Sequence, residues 1–203
     1  MLAGAIGARN NNFRSTMRTS PLKANAHIVA LRPATLDDVP AIEALIARSA
    51  RTLAIKHYTQ EQIEAALLGA WGVDTELIDD GTYFVGEASG SLVLCGGWSR
   101  RETRFGGDAY ANRRSRLLDP TQEAARIRAF FVDPRWARLG LGSGLLARCE
   151  AEARAAGFGT AELVATLPGQ RLYAKNGYHG SQRVSYALPG ALAIDFVPMR
   201  RSL

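Results

Sequence analysis

The stretch from Arg126 to Leu146, RIRAFFVDPRWARLGLGSGLL, constrains the fold of this chain more than any other segment. Its first part is apolar and typical of a strand, and Asp133-Pro134 ends that strand. A glycine-rich turn follows and opens a helix. Such a turn brings unpaired backbone N–H groups to a helix N-terminus, where the helix dipole adds partial positive charge. We therefore predict a strand, a turn and a helix that together can hold a pyrophosphate.

The other elements predict a mixed α/β sheet with helices on both faces. Apolar runs and turn residues predict strands over 27–31, 81–87, 91–100, 126–132, 160–165, 178–188 and 191–199. Helical spacing and capping residues predict helices that begin near Thr35 or Asp37, after Thr59, at the glycine-rich turn and at Pro168. Gly96-Gly97, inside a strand, indicates a bulge or a close approach by another group.

The 203 residues predict one domain preceded by an extension. Residues 1–25 lack a clear apolar period, and we expect them to be disordered or loosely docked. Their acid-free, Arg- and Ser-containing composition faintly resembles a transit peptide; the alternative, which we prefer, is that Met17 is the true start. We expect residues 26–203 to form the single folded domain.

Charge and cysteine content exclude several classes of protein. The formal net charge is +6, but the first 36 residues contain no acid and much of the remaining excess lies in 100–116. A basic tail and a basic loop are more typical of solvated surface than of a nucleic-acid site, so no nucleic-acid partner is expected. No apolar run reaches the roughly 18 residues that a membrane span needs. Cys95 and Cys149 are isolated, which argues against a disulfide framework and a metal site and favours a cytoplasmic protein.

Two other phosphate-binding motifs fail on the residues present. The dinucleotide pattern GxGxxG would need glycine where Leu145 stands, and no Gly-Lys-Ser/Thr of a P-loop follows the turn. By contrast, Asp133 to Gly142, DPRWARLGLG, is similar to the acyl-CoA pyrophosphate loop of the GNAT superfamily of N-acetyltransferases. The chain also has the apolar strand that precedes this loop and the Leu145-Leu146 helix that follows it.

A second motif, LYAKNGY from Leu172 to Tyr178, resembles the other GNAT signature, a short helix that carries an aromatic pair and ends at Gly-Tyr. The two motifs stand in the family's order, and the resemblance covers roughly residues 27–199. It implies a mostly antiparallel sheet in which two central strands splay apart. It also implies acetyl-CoA as the acyl donor, with no metal, and an amine as the acceptor; a homodimer is left open.

The resemblance assigns residues to the donor site. Tyr173 matches the general acid that protonates the leaving thiolate, and a phenol with a pKa near 10 can supply that proton. The resemblance implies that the acyl-CoA contacts are made by Phe130, Phe131, Val132, Ala137, Arg138, Leu139, Gly140, Leu141, Gly142, Ser143 and Thr166. Three positions depart from the family pattern: Ala137 replaces Gln or Arg, Thr166 replaces Asn and Gly169 replaces Ala.

The acceptor side is less defined by the sequence. Glu102, Asp108 and Glu123 are candidates for the general base, with a water chain as the alternative. His57 and Trp98 could line the acceptor site, and the arginines of 100–116 could recognise an anionic acceptor or form a solvated basic face. We predict an acetyl-CoA-dependent N-acetyltransferase that acts on a small-molecule or protein amine by direct transfer in a ternary complex. The alternative is a non-catalytic acyl-CoA-binding or regulatory module.

Overall fold

The computed structural model describes residues 20–24, 27–109 and 115–203. The strands are β1 (Ser20–Ala24), β2 (His27–Pro33), β3 (Tyr83–Ala88), β4 (Ser91–Ser99), β5 (Ala125–Val132), β6 (Thr160–Thr166), β7 (Val184–Leu188) and β8 (Leu192–Ser202). The helices are α1 (Val39–Leu53), α2 (Gln60–Leu67), α3 (Thr75–Asp79), α4 (Leu141–Ala155) and α5 (Gln170–Lys175). Short 3-10 turns precede α1 at Leu36–Asp38 and α4 at Pro134–Trp136.

The strands form one sheet in the order β1-β2-β3-β4-β5-β6-β8-β7. Every neighbouring pair is antiparallel except β5 and β6, which are parallel. A parallel pair needs a crossover, and α4 supplies it between β5 and β6. The predicted mixed, mostly antiparallel sheet is confirmed.

Each face of the sheet buries its own apolar cluster. On one face, Leu145 and Cys149 of α4 are fully buried against the strands. On the other face, Ile42 and Leu45 of α1 are fully buried together with Ile63 of α2. Full burial of a side chain of this size stabilises the fold by roughly 1.5–3 kcal/mol. The two faces are called here the α4 face and the α1 face.

Several local signals in the sequence are confirmed. The Thr59 hydroxyl accepts a hydrogen bond from the Gln62 N–H at 3.2 Å and caps α2. The strand ends before Asp133-Pro134 as predicted, and Asp133 caps the following turn by accepting from the Arg135 N–H at 3.0 Å. The predicted helix at the glycine-rich turn begins at Leu141.

Three elements differ clearly from the prediction. Residues 20–24, expected within an extension without fixed structure, form β1, because they pair with β2 along their length and Leu22 packs on Gly144 of α4. The rest of that predicted extension, including Met17, lies outside the described residues. The short helix α3 was not predicted, and β7 begins at Val184 rather than at 178 because the preceding residues pair with β8 only at His179.

Candidate functional site

The sheet is open between β5 and β6. These strands pair only at Ala125–Ala161 and Arg126–Glu162, although β5 continues to Val132 and β6 to Thr166. Beyond those pairs the facing edges separate and leave a gap. Backbone groups along such a gap are available to a ligand that lies between the strands. The predicted splayed strand pair is present.

A bulge in β5 lies beside the gap. Cys95 faces Phe131 whereas Gly97 faces Arg128, so β5 contains one extra residue opposite β4. Ala129 in this bulge has a φ of 55°, which is unusual for a residue with a Cβ. The glycine opposite makes room, since a Cβ on Gly96 would collide with the Phe130 ring. The bulge therefore changes the direction of the β5 side chains at the point where β5 and β6 separate.

The glycine-rich turn presents unpaired donors at the start of α4. Arg138 and Gly140 both have left-handed backbone, with φ of 64° and 86°. Within the described part of the chain, none of the backbone N–H groups from Arg138 to Ser143 has a hydrogen-bond acceptor, whereas Gly144 N–H bonds Gly140 O at 3.1 Å. Left-handed residues alternating with others form concave anion sites from successive N–H groups. The donor set of this turn fits a pyrophosphate.

Asp133 anchors the turn to its surroundings. Its side chain is 2% exposed and accepts from the Arg135 backbone N–H at 3.0 Å and from Arg135 Nε at 3.1 Å. Arg48 of α1 approaches the same carboxylate at 3.5 Å. The Arg135 guanidinium is the main reason that the pKa of Asp133 lies below its usual value. The Asp133 N–H also bonds Val93 O at 2.8 Å, so α1, β4 and the turn are joined at one residue.

The start of α4 is also fixed to α5. A Cβ on Gly142 would lie 3.0 Å from Leu172 Cδ2, so a glycine here allows the two helices to approach closely. Asn176 donates from Nδ2 to Ser143 Oγ at 3.0 Å and to Leu172 O at 2.8 Å. The two sequence motifs are therefore in direct contact.

Tyr173 projects from α5 into the α4 face. It is 8% exposed, and its ring centroid lies 6.2 Å from that of Phe130 and 5.9 Å from that of Tyr178. Its hydroxyl makes no hydrogen bond to the described residues. Burial raises the pKa of Tyr173 well above its ordinary value, so the phenol stays protonated at physiological pH. Thr166 at the end of β6 accepts from the Gly169 N–H at 3.2 Å.

The connection between β4 and β5 covers part of the α1 face. Its Phe105 ring lies 4.5 Å from the Tyr186 ring and 5.7 Å from the Phe196 ring, and Phe196 is the β8 partner of Thr166. Arg128 holds the same segment by donating from Nη2 to Gly106 O at 2.6 Å. Phe105 was not singled out from the sequence, although an aromatic residue in a segment rich in charge and glycine is a usable signal.

A buried ion pair lies beneath this segment. Arg128 Nη1 is 2.6 Å from Asp74 Oδ2, and the two side chains are 1% and 0% exposed. A buried pair of this kind adds little net stability, but losing one partner costs about 3–5 kcal/mol. Sequence reasoning missed it, although charged residues at alternate positions of an apolar strand, Arg126 and Arg128, indicate inward-facing charges.

The three candidates for the general base already accept hydrogen bonds from other groups of the protein. Glu123 accepts from Arg116 at 2.7 and 2.9 Å, and this contact lowers its pKa to about 2. Glu102 also accepts from Arg116, at 3.1 Å, and Asp108 accepts from the Thr75 N–H at 3.0 Å.

The arginines of 100–116 are mostly paired as well. Arg100 and Arg101 approach Asp80 at 3.6 and 2.7 Å, and Arg104 approaches Glu162 at 3.4 Å. Arg113 and Arg114 lie outside the described residues. The segment is thus a network of ion pairs rather than a uniformly free basic face.

Trp98, a candidate for the acceptor site, packs away from the gap on the side of α4. It is buried on the α4 face, where its ring packs on Phe158 and its Nε1 donates to Glu152 at 3.2 Å. The alternation of side chains along β4 sends it there. His57 is exposed in the connection between α1 and α2.

Tyr58, next to His57, braces the open end of the gap. Its hydroxyl donates to Asp195 O and accepts from the Leu167 N–H, both at 2.7 Å. Tyr58 directly precedes the N-cap Thr59, a position where an apolar residue often packs against the first turn of the helix. This position is the sequence signal that could have drawn attention to Tyr58.

Metal-binding clusters and membrane-spanning helices are both absent from the described residues. No group of three or more His, Cys, Asp or Glu side chains in the described ranges could hold a metal ion. In the same ranges, every helix is too short or too polar to cross a membrane.

The fold and the paired motifs define the class of protein. The family model described as "Acetyltransferase (GNAT) domain" matches residues 79–180, half of the chain. The chain belongs to the GNAT acetyltransferase family. No curated protein sequence matches it.

Solved structures agree on the fold. A GCN5-related N-acetyltransferase from Rhodopseudomonas palustris is 21% identical, with a TM-score of 0.64 over 93% of this chain and 100% of that one. The PaiA N-acetyltransferase from Thermoplasma acidophilum, solved in complex with coenzyme A, is 13% identical, with a TM-score of 0.59 over 86% and 99%. A ribosomal-protein-alanine N-acetyltransferase from Brucella melitensis is 18% identical, with a TM-score of 0.56 over 85% and 99%.

Proposed function

We propose that this protein transfers the acetyl group of acetyl-CoA to a primary amine of a small molecule or protein, directly, in a ternary complex. The observation that carries the proposal is the gap between β5 and β6, with unpaired N–H groups of the glycine-rich turn at its mouth and Tyr173 at its side. The solved relative with bound coenzyme A supports the same donor.

The donor site would be built mainly from backbone. The N–H groups from Arg138 to Ser143 would bind the pyrophosphate, with Ala137 contributing backbone only. Phe130, Phe131 and Val132 would bind the pantetheine amides and the thioester carbonyl along the β5 edge. The Thr166 hydroxyl would hydrogen-bond the pantetheine from β6. It already accepts one hydrogen bond from the Gly169 N–H, so its proton and its second lone pair would serve the ligand.

Tyr173 would donate a proton to the leaving thiolate. Its hydroxyl is protonated, has no partner among the described residues, and is held by ring packing on Phe130. Acid catalysis of this kind contributes about 10²–10⁴-fold in rate.

Water would remove the proton from the acceptor amine. Glu102, Asp108 and Glu123 are each engaged with other groups, and a carboxylate with a pKa of about 2, such as Glu123, is a weak base. Loss of the proton from an amine of pKa near 10.4 costs roughly 4–5 kcal/mol at pH 7. Turnover should therefore rise with pH toward the pKa of the amine.

The test is incubation with acetyl-CoA and a panel of small amines and peptides, with release of free thiol as the readout. Acetylated product identified by mass spectrometry would support the proposal. Calorimetric binding of coenzyme A without turnover of any amine would instead favour a non-catalytic acyl-CoA module.

A further inference from the structure

A small basic cavity lies on the α1 face beside the gap. Its volume is about 150 Å³, and its walls include Arg104, Glu162, Val164, His179, Pro198 and Arg200; we call it the β6–β8 cavity. Since each water occupies about 30 Å³ in the liquid, the cavity has room for a carboxylate or a phosphate. A larger cavity of about 340 Å³ flanks α1 and includes no residue of β5 or β6.

The cavity contains more positive than negative charge. Glu162 is its one carboxylate among the lining residues, and both Arg104 and Arg126 approach the same oxygen of it. Arg200 is exposed and has no ion-pair partner in the described part of the chain. Among the lining residues, one carboxylate thus stands beside two guanidinium groups, those of Arg104 and Arg200, which leaves an excess of positive charge that attracts an anion.

Arg126 is the buried member of this group. Its side chain is 8% exposed, and its Nε has no hydrogen-bond acceptor among the described residues. Burial is the main reason that the pKa of Arg126 is lowered. Glu162 is shared with Arg104, and Glu123, the other carboxylate that acts on Arg126, is itself paired with Arg116. A further anion nearby would therefore stabilise the buried cation.

The cavity adjoins the position where acetyl transfer would occur. Glu162 is the last β6 residue paired with β5, and Val164 lies on the edge that faces the gap. Arg104 directly precedes Phe105, whose ring packs on Phe196. From Phe196 to Pro198, which lines the cavity, is two residues of strand, or about 7 Å. A short molecule can therefore span from the gap to the cavity.

The far wall of the cavity is fixed. His179 pairs with Arg200 through backbone bonds of 2.8 and 2.9 Å. A Cβ on Gly180 would collide with the Pro198 carbonyl, so only glycine permits this close approach. The cavity is consequently pre-formed, which lowers the entropic cost of binding in it.

We propose that the acceptor amine carries an anionic group, a carboxylate or a phosphate, which Arg104 and Arg200 bind in the β6–β8 cavity. This inference rests on the proposed acetyl transfer. It narrows the acceptor to amino acids, amino-phosphates or peptides with an acid close to the reacting amine. Of the arginines in 100–116 that the structure describes, Arg104 is the one that lines this cavity.

The test compares matched acceptors. With wild-type protein, 4-aminobutyrate should show a lower KM than butylamine, and aminoethyl phosphate a lower KM than ethanolamine; the two pairs distinguish a carboxylate site from a phosphate site. Arg104→Gln with Arg200→Gln should raise KM for the anionic acceptors by about tenfold, the factor given by 1.4 kcal/mol, with kcat nearly unchanged. The variant should leave KM for the neutral amines and for acetyl-CoA unchanged.

Arg154→Gln is the matched control, because Arg154 is exposed on α4, away from the cavity. Equal KM values within each acceptor pair, or an equal rise for neutral amines in the double variant, would overturn the proposal. Calorimetric binding of the same anionic acceptors in the presence of coenzyme A separates the two proposals. Binding that the double variant loses, without turnover, would refute acetyl transfer but retain the anion site, whereas binding that the double variant keeps would refute the anion site.

Discussion

Tyr173 combines a fixed ring with an available hydroxyl. Phe130 and Tyr178 pack around the ring, while the hydroxyl makes no hydrogen bond to the described residues. A packed ring that carries an unpaired hydroxyl beside a ligand-sized gap is a candidate for chemistry.

Tyr173→Phe should lower kcat by about 10²-fold or more, because the proton donor is lost. The KM for acetyl-CoA and the unfolding free energy should change little, since the ring contacts remain. Steady-state thiol release measures the first two quantities and urea unfolding the third. Because burial raises the pKa of Tyr173, the wild-type rate should show no decline from its ionisation between pH 7 and 9. Unchanged kcat in the variant would remove Tyr173 from the mechanism.

Asp38 gives a pH-dependent contribution to stability. It accepts from Arg32 at 2.7 and 2.8 Å, and this contact is the main reason that its pKa is lowered to about 2. A lowered pKa means that the ionised form stabilises the fold. The contribution is complete above the ordinary pKa of about 3.9 and is lost as pH falls toward 2.

Asp38→Asn should therefore reduce the unfolding free energy by roughly 1 kcal/mol at pH 7, since Arg32 is partly exposed and solvent screens the pair. The difference from wild type should shrink between about pH 4 and pH 2 as the wild-type carboxylate becomes protonated. Urea unfolding across this range measures it. Asp37→Asn, at an exposed neighbouring carboxylate, should show neither effect.

The turn between β5 and α4 combines left-handed backbone with N–H groups that have no acceptor among the described residues. Gly140 adopts a φ of 86°, and a Cβ there would meet no atom within 4 Å. Alanine at this position would thus be opposed by backbone strain alone. The loss of unfolding free energy in an alanine variant would therefore report the backbone strain, and the loss of coenzyme A affinity would report the displaced N–H groups.

Gly140→Ala should lower the unfolding free energy by about 1–2 kcal/mol and the affinity for coenzyme A by about tenfold, because the strained turn shifts its N–H groups. Gly81→Ala is the control: Gly81 has a φ of 70°, also with nothing within 4 Å, and lies before β3. It should show the same loss of stability with unchanged affinity. Equal affinities of the two variants in calorimetric titration would contradict a pyrophosphate role for the turn.

At the scale of the whole molecule, local sequence signals predicted most elements because their causes are local. Asp133 caps its own turn, and Gly96 makes room for a neighbouring strand, so each is read from its residue type and position. The strand β1 was missed, since Pro21 and Lys23 interrupt any apolar pattern and its stability comes from pairing with β2. The positions of Phe105 and Arg126 depend on strands more than 30 residues away, which no local pattern reports.

The two hydrogen bonds of the Tyr58 hydroxyl affect how the two parts of the sheet move relative to each other. The sheet consists of a five-strand part and a three-strand part, joined along β5 and β6 by two residue pairs at one end. Tyr58 links the α1 side to Leu167 and Asp195 at the other end. The Tyr58 hydroxyl therefore helps to fix the angle between the two parts at the end where the strands do not pair. Tyr58→Phe should let this angle fluctuate, seen as faster amide hydrogen exchange at Leu167 and along β6, while exchange in β2 and β3 stays as in wild type.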